Sequence, residues 1–343
     1  MKNYITEYAG SGVYDFIKSH VDLPSDDSFV IATSTAFNVE RHKKEFRSFV
    51  NLSRMNDIRW INKFFELVNS RLNVGDTIIT CAETYTLREK KIYGKYGKGL
   101  GHFIYAVDFL LRRVSPKLKL TQKLFFALTK GRDRPLSQAE ALGRVVSCGF
   151  QLVEVKEINN LLYIVAKKVS EPYFDKNPSY GPLFCMNRVG KGGNVIGVYK
   201  YRTMYPYSEY LQEYMLEKNG YGENGKIAND FRVTAWGKFL RRYWLDELPQ
   251  LLNVAKGNMK LVGVRPISKA LFKDYPDDVK AMRIKYKPGC FPPYVALLMD
   301  EMNDSIEAER IYLEEKTKRP YTTDMKYFFK SVYNILTNKI RSA

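Results

Sequence analysis

The chain has 343 residues, a length typical of two domains, and its 45% hydrophobic and 27% charged residues exclude an intrinsically disordered protein. Four widely separated cysteines without a CxxC pair, and three histidines without paired spacing, argue against a disulfide framework and a zinc centre. The 55 Lys and Arg residues exceed the 37 Asp and Glu residues by 18, which favours an anionic partner such as nucleic acid, a phosphate-rich substrate or an anionic membrane surface.

The N-terminal segment, residues 1–7, lacks the apolar region of a signal peptide. No run of about 18 apolar residues occurs, so no transmembrane helix is predicted. We therefore expect the chain in a reducing cytoplasm.

Residues 1 to about 170 alternate between predicted strands and helices, which indicates an α/β layer. Helical spacing predicts helices over 57–72 and 140–147, the first with Asn56 or Asp57 as its N-terminal cap. Short apolar runs predict four strands, at 28–34, 76–82, 150–155 and 161–166.

This N-terminal half resembles the C-terminal part of the class I methyltransferase fold. The resemblance rests on the step from a helix through Leu72-Asn-Val-Gly75 to a strand, and on the segment 141–150 with the paired strands that follow it. The glycine-rich loop that holds the cofactor of that fold is missing. We therefore predict a methyltransferase-like remnant domain, residues 1–170, that binds no cofactor.

A basic and apolar insert, residues 90–134, interrupts this half, and it is called the basic insert below. Two pieces, 102–113 and 121–130, place aromatic and aliphatic residues beside Lys and Arg. Interfacial helices on an anionic membrane have this pattern. A helical pair packed on its own domain with a solvated basic face has it too, because both need an apolar stripe, so the sequence leaves both interpretations open.

The segment 171–182 is dense in Pro, Gly and Asn and predicts a linker, which places the second domain at 171–343. After it, the segment 187–204 reads as a β-hairpin around a Gly-Lys-Gly-Gly turn. Side chains alternate along a strand, so Lys200 and Arg202 would share one face and suit a diphosphate. An ordinary basic edge strand would give the same pattern.

Asp246 and Glu247 precede a predicted helix with Pro249 in its first turn. Asp246 is a candidate N-terminal cap, and the helix N-terminus would favour an ionised carboxylate and attract phosphate. A capping Asp followed by a first-turn Glu could also be purely structural. The apolar face of this helix is predicted to comprise Leu248, Leu251 and Leu252.

Arginines accompany this acidic pair. Arg241 lies just upstream, and the segment 256–266 brings Arg265 to a sharp turn before Pro266. Cations that hold phosphate oxygens, a divalent ion and an attacking carboxylate are what phosphoryl transfer requires. Arginine in particular makes fork-like contacts with phosphate.

The motifs at 200–204, 245–251 and 256–266, in this order, resemble the bacterial sugar transferases, the monotopic polyprenyl-phosphate phosphoglycosyl transferases that initiate polysaccharide or glycoconjugate assembly. The match runs from about Gly181 to the C-terminus and includes a closing helix at 324–336. It implies a C-terminal α+β domain with a β-hairpin and several helices.

The resemblance also implies a two-step reaction. Asp246 would attack a nucleoside-diphosphate sugar, expected to be a UDP-sugar, and a polyprenyl phosphate would then displace the phosphosugar from Asp246. Glu247 would act as an acid/base or metal-organising group, with Mg²⁺ at the Asp246–Glu247 pair. Lys200, Arg241 and Arg265 match positions that contact phosphate, and Arg202 lies in the same motif as Lys200.

Two departures from the family bear on the acceptor. Residues 161–180 stand in place of an apolar re-entrant hairpin, and their charged side chains could not enter a bilayer so deeply. The segment Pro288-Gly-Cys-Phe-Pro-Pro293 alters a family motif near the acceptor or nucleotide end of the site. We therefore expect any membrane contact at the basic insert, with the chain peripheral at the cytoplasmic face of the inner membrane.

Other functions remain open at this stage. They include a transferase with a non-polyprenyl acceptor and an inactive scaffold of the same fold, although nothing in helix packing demands that both Asp246 and Glu247 be retained. Nucleic acid is not expected as a partner, because the basic residues are dispersed and no binding module is recognisable. The sequence identifies neither the sugar nor the oligomeric state.

Overall fold

A computed structural model describes residues 1–173, 181–220, 227, 229–299, 302–340 and 342. The chain forms two compact units: Met1–Lys176 with Pro206–Tyr214, and Asn177–Tyr205 with Met215–Ala343. Most of the predicted linker, residues 174–180, lies outside the described residues. The four cysteines are free. Among the described residues, no helix has the length and apolar character needed to cross a bilayer.

The first unit combines a five-stranded sheet with helices, which confirms the predicted α/β class. Its strands are β1 (Ser28–Ile31), β2 (Ser48–Arg54), β3 (Thr77–Ala82), β4 (Phe150–Ile158) and β5 (Leu161–Lys168). Its helices are α1 (Lys2–Ala9), α2 (Ser11–Lys18), α3 (Phe37–Glu40), α4 (Ile61–Ser70), α5 (Tyr85–Phe109), α6 (Lys119–Thr129) and α7 (Gln138–Ser147).

The strand order of this sheet is β1-β2-β3-β5-β4. The first three strands are parallel, and β5 lies antiparallel between β3 and β4. Sequence reasoning found four of the five strands and missed β2, whose centre holds Asn51, a residue disfavoured in strands. Asn51 is tolerated there because its buried amide bonds both the N–H and the C=O of Thr33 at 3.0 and 2.9 Å.

Helix α4 shows one prediction confirmed and one corrected. The helical spacing over 57–72 places five apolar residues on one face, and all five are buried: Ile58, Ile61, Phe64, Phe65 and Val68. The predicted cap is wrong, because α4 begins behind Trp60 without a side-chain cap. Asn56 instead donates to the carbonyl oxygens of Glu83 and Arg134, and Asp57 pairs with Arg54 at 3.1 Å. Asn56 and Asp57 thus bond groups elsewhere in the first unit and do not cap α4.

Residues 206–214 follow the β-hairpin in sequence but belong to the first unit. A Cβ atom on Gly143 of α7 would lie 2.3 Å from the carbonyl oxygen of Tyr207, so only glycine allows this approach. The Arg144 guanidinium stacks 4.4 Å from the centre of the Tyr207 ring, and Asn62 donates to the Tyr207 hydroxyl at 3.0 Å. The local sequence composition did not predict that residues 206–214 belong to the first unit.

The C-terminal half is built from short strands and many helices. Its strands are β6 (Leu183–Val189), β7 (Val195–Tyr201), β8 (Lys260–Val262) and β9 (Gly289–Phe291). Its helices are α8 (Gln212–Asn219), α9 (Ala235–Arg242), α10 (Leu251–Ala255), α11 (Lys269–Lys273), α12 (Asp277–Arg283), α13 (Pro293–Leu297), α14 (Met302–Lys318) and α15 (Thr322–Leu336). The predicted closing helix is confirmed as α15.

The predicted β-hairpin is also confirmed. Strands β6 and β7 pair antiparallel around a turn in which Gly192 and Gly193 take positive φ angles of 71° and 78°. Strands β8 and β9 pair in parallel, and a Cβ atom on Gly289 would lie 2.1 Å from the backbone nitrogen of Gly263. The altered segment 288–293 therefore keeps the glycine that this close backbone approach requires.

Candidate active site

Asp246 and Glu247 lie in a short 3-10 helix, Leu245–Gln250, that continues into α10. Trp244 precedes it with a left-handed backbone, φ 58°. Asp246 is the second residue of this helix, so the prediction that it caps a helix is wrong. Its carboxylate turns away from the backbone N–H groups because Lys200 and Ser342 bind it instead.

The side chains that hold Asp246 come from two distant segments. The Oδ2 atom of Asp246 lies 3.0 Å from Lys200 Nζ and accepts a hydrogen bond from the Ser342 hydroxyl at 2.8 Å. The Oδ1 atom is buried and has no hydrogen-bond partner among the described residues. An unsatisfied buried carboxylate oxygen is costly, by about 1–3 kcal/mol or more, and such atoms are a feature of functional sites.

Lys200 joins the two acidic residues. Its ammonium group, at the end of β7, donates to Glu247 Oε1 at 2.6 Å as well as contacting Asp246. Glu247 also accepts a hydrogen bond from Gln250. One cation between two carboxylates offsets their mutual electrostatic repulsion.

Helix α10 turns its polar side toward the protein. The buried amide of Asn253 accepts from Tyr199 N–H at 3.1 Å and donates to the Gly197 carbonyl at 2.6 Å, which clamps α10 to β7 beside Lys200. The predicted apolar face of this helix therefore points outward. The exposed fractions are 49% for Leu248, which lies just before α10, 47% for Leu251 and 51% for Leu252.

Arg241 lies in the last turn of α9, which Thr234 caps. Its Nε donates to the Thr203 hydroxyl at 3.0 Å. Burial lowers the pKa of the Arg241 guanidinium, while the nearby negative charge of Asp246 opposes that shift. Arg241 therefore lies within electrostatic range of the acidic pair, as predicted for a phosphate-binding residue.

Arg265 is held through its backbone by a buried ion pair. Glu309 on α14 accepts from the Arg265 N–H at 2.9 Å, and Arg283 on α12 donates to the Arg265 carbonyl at 2.6 Å. Arg283 and Glu309 contact each other at 2.5 Å and are both buried. The Arg265 guanidinium lies 5.4 Å from the centre of the Tyr294 ring. Two helices thus fix the turn that presents Arg265.

Arg188 is a further candidate site residue, one that sequence reasoning missed. Burial and the positive charge of Arg265 lower the pKa of its guanidinium, and the charge of Glu247 opposes them. An anion bound near Arg188 and Arg265 would be stabilised by both positive charges. The signal was available in the hairpin: Arg188 pairs with Ile196, and residues two apart share a face, so Arg188 lies on the same face as Lys200.

Arg202 follows β7 at the open end of the hairpin. Its Nε donates to the Gly181 carbonyl at 3.0 Å, and its guanidinium lies 5.0 Å from the centre of the Phe184 ring. Strand alternation placed it with Lys200, but these contacts hold it against the start of β6. Its role in phosphate binding stays a prediction.

A cavity of about 190 Å³ opens beside Glu247. Apolar side chains line most of it, including Leu251, Phe291 and Leu336. Phe291 and its neighbour Cys290 bring the altered 288–293 segment to this cavity. Burial raises the pKa of the Cys290 thiol to about 12, so this thiol stays protonated near neutral pH.

The acidic pair fits Mg²⁺. In the described part of the chain, no cluster of three or more His, Cys, Asp or Glu side chains could hold a metal ion. Mg²⁺ is commonly bound by one or two carboxylates, with water and substrate phosphates completing its shell. Asp246 and Glu247 supply two adjacent carboxylates of this kind, and Mg²⁺ binding there stays a prediction.

Residues 172–338 match the family model of the bacterial sugar transferases. Three similar proteins are undecaprenyl-phosphate galactose phosphotransferase of Salmonella typhimurium, 42% identical over 115 residues, galactosyl transferase CpsE of Streptococcus agalactiae, 40% over 111, and UDP-glucose:undecaprenyl-phosphate glucose-1-phosphate transferase of Escherichia coli, 38% over 117. These matches cover 32%, 32% and 33% of this chain. They cover 24%, 24% and 23% of the three relatives, so the chain spans about a quarter of their length.

Proposed function

We propose that the bacterial sugar transferase domain of this chain, residues 172–338, is a glycosyl-1-phosphate transferase. It moves a sugar-1-phosphate from a nucleoside-diphosphate sugar, expected to be a UDP-sugar, to polyprenyl phosphate in polysaccharide or glycoconjugate synthesis. The observation that carries this proposal is the Asp246–Lys200–Glu247 arrangement, with Arg241 and Arg188 within electrostatic range of it. The names of the similar proteins, which include undecaprenyl-phosphate sugar transferases, agree with it.

In the first step a carboxylate oxygen of Asp246 attacks the sugar-proximal phosphorus. The bond from that phosphorus to the bridging oxygen breaks, and the nucleoside monophosphate leaves with the electron pair. The sugar-phosphate then remains on Asp246 as an acyl phosphate. Because Lys200 and Ser342 engage Oδ2, the unpartnered Oδ1 is the better candidate for attack.

In the second step an oxygen of the acceptor phosphate attacks the same phosphorus, and Asp246 is released as a carboxylate. Lys200, Arg241, Arg188 and Arg265 would stabilise the charge on the phosphoryl oxygens in both steps. Mg²⁺ held at Asp246 and Glu247 would neutralise further phosphate charge when bound. Glu247 accepts hydrogen bonds from Lys200 and Gln250, and would thereby hold the Lys200 ammonium group in position beside Asp246.

The cavity beside Glu247 supports an acceptor with an apolar chain. Its lining by Leu251, Phe291 and Leu336 would accept a prenyl chain, while its Glu247 end meets the phosphate chemistry. Phe291 comes from the segment that departs from the family, so a different apolar acceptor would fit the same place. We place the chain at the cytoplasmic face of the inner membrane as a peripheral protein, because a nucleotide sugar is cytoplasmic and a prenyl acceptor is membrane-bound.

One observation favours the alternative, an inactive scaffold. Asp246 is fully buried, 0% exposed, so phosphorus cannot reach it without a rearrangement. Ser342, which bonds Asp246 Oδ2 and lies 3.4 Å from Glu247 Oε1, is one group that would have to move. Substrate binding would have to displace it for the transferase reaction to proceed.

For the first unit we propose a methyltransferase-like remnant, residues 1–170, without a cofactor. The sheet order, with β5 antiparallel between β3 and β4, supports the likeness. At the carboxyl ends of β2 and β3, Glu83 is buried between Arg54 and Arg88 at 2.9 Å from each. These ion pairs take up the edge of the sheet where α/β proteins bind ligands.

The test incubates the full chain with Mg²⁺ and a panel of UDP-sugars, and measures UMP release and the mass of the peptide that carries Asp246. We expect a phosphosugar adduct with one UDP-sugar, and we expect Asp246→Asn to abolish both signals. Asp277→Asn is the matched control, because that carboxylate is almost fully exposed. Normal turnover by Asp246→Asn would refute the nucleophile, and neither UMP nor adduct with any sugar would favour the scaffold.

A further inference from the structure

The basic insert concentrates the positive charge of the chain. Residues 90–134 contain twelve Lys or Arg residues and two Asp residues, a net charge of +10 out of +18 for all 343 residues. Lys95, Lys98, Lys123 and Lys130 are exposed. A segment with this excess of positive charge attracts an anionic partner.

The same insert exposes rows of apolar side chains. On α6, residues four apart lie on one side of the helix, and Leu120, Leu124 and Leu128 there are 92%, 62% and 75% exposed. A second exposed row follows the helical period through the distal part of α5 and the turn after it, at Leu100, Phe103, Val107, Leu110 and Leu111.

This placement separates the two interpretations that the sequence left open. The insert is anchored to its own unit through other groups: Phe125 is buried, and Arg113 pairs with Glu140 at 2.6 Å. The apolar rows face solvent rather than the core. A pair of helices that merely covered its own domain would have buried those rows.

We propose that the basic insert lies flat on an anionic lipid bilayer, with the exposed leucines of α6 in the acyl boundary. Lys123 lies about 60° around the helix from Leu120, at the edge of the row, and Lys130 directly follows the end of α6. Their ammonium groups would meet lipid phosphates. A second copy of this chain fits the surface poorly, because two inserts of net charge +10 repel each other. The proposal concerns the first unit and goes beyond the transfer reaction.

The experiment floats the full chain with vesicles of neutral phosphatidylcholine, with and without phosphatidylglycerol, at low and high salt. We expect binding to the anionic vesicles at low salt and at least about tenfold weaker binding at high salt, because surface charges are screened. The variant Leu120→Ser/Leu124→Ser/Leu128→Ser and the variant Lys123→Glu/Lys130→Glu should each lose at least about tenfold in binding.

Matched controls come from the same unit outside the insert. Val74→Ser removes an apolar side chain that is 73% exposed, and Lys43→Glu reverses an exposed charge. Both should bind vesicles as the wild type does, and circular dichroism should show all variants folded. Wild-type protein that fails to float at low salt, or insert variants that float as well as the controls, would overturn the proposal. So would a change of oligomeric state in the leucine variant, which would identify a second copy as the occupant.

A parallel assay separates this proposal from the proposed function. Formation of the Asp246 adduct from a UDP-sugar in detergent needs no vesicle, so the insert variants should retain it. Vesicle binding without an adduct would refute the transferase and leave the bilayer contact intact. An adduct without vesicle binding would refute the bilayer contact and leave the transferase intact.

Discussion

Burial and the positive charge of Arg265 both lower the pKa of the Arg188 guanidinium on β6. Arg188 is otherwise held by the Asn187 carbonyl at 3.0 Å and by the Met186 sulfur. Keeping two cations this close costs electrostatic free energy that a bound anion would recover. We therefore expect Arg188 to bind the phosphates of the nucleotide-sugar donor.

We predict that Arg188→Gln raises the KM for the nucleotide sugar by about 10–100-fold, the loss expected when a charge-assisted contact with phosphate is removed. Arg188→Lys should recover part of the loss, because it keeps the charge without the fork. The measurement is UMP release against donor concentration, with Lys238→Met on the exposed surface of α9 as control. An unchanged KM in Arg188→Gln would remove Arg188 from the site.

At the scale of elements, short helices reach the site only because buried polar side chains hold them. Asn253 ties α10 to β7, and the Arg283–Glu309 pair ties α12 and α14 to the turn at Arg265. Each clamp satisfies backbone groups that would otherwise be buried without partners. The clamps join residues at least 18 positions apart, so they position the site independently of local helix propensity.

We predict that Glu309→Gln lowers the stability of the second unit by about 3 kcal/mol, because it leaves the buried Arg283 charge uncompensated. Thermal unfolding followed by circular dichroism measures the effect. Glu307→Gln is the control, since Glu307 lies on the same helix and pairs with Arg310 at the exposed surface. If both variants unfold at the same temperature, the buried pair does not stabilise the turn.

At the scale of the whole molecule, the charges of the first unit make its stability depend on pH. Burial raises the pKa of Glu140, but the charges of Arg113 and Arg144, at 2.6 and 3.0 Å, outweigh it and hold this pKa below its usual range. A carboxyl group whose pKa is depressed by folding stabilises the protein fully above its unfolded pKa, about 4.3. That contribution is lost as the pH falls below this value.

Glu140→Gln should therefore lower the unfolding temperature at pH 7, and the gap from the wild type should narrow as the pH falls below about 4. Thermal unfolding across pH 3–7 tests this. Glu157→Gln, whose carboxylate is exposed beside Lys90, should follow the wild type at every pH. A gap that is constant with pH would show that the ion pair does not carry the effect.

The sequence by itself determined what depends on neighbours along the chain. Strand alternation, helical spacing and turn residues within a few positions predict the hairpin, the strands β3, β4 and β5, and the apolar face of α4. The acidic pair at 246–247 is visible directly as two adjacent residues. The motifs around Lys200, Arg241 and Arg265 were sufficient to indicate the bacterial sugar transferases, whose family model matches residues 172–338.

Only the tertiary structure decided which way those elements face. Periodicity shows that an apolar stripe exists, but not whether it meets a core, as in α4, or solvent, as at Leu251 and along α6. It could not show that Ser342, 96 residues away, bonds Asp246, because that partner is selected by packing between distant segments. The orientation of a side chain depends on what the rest of the chain leaves to pack against, and local spacing contains no information about that.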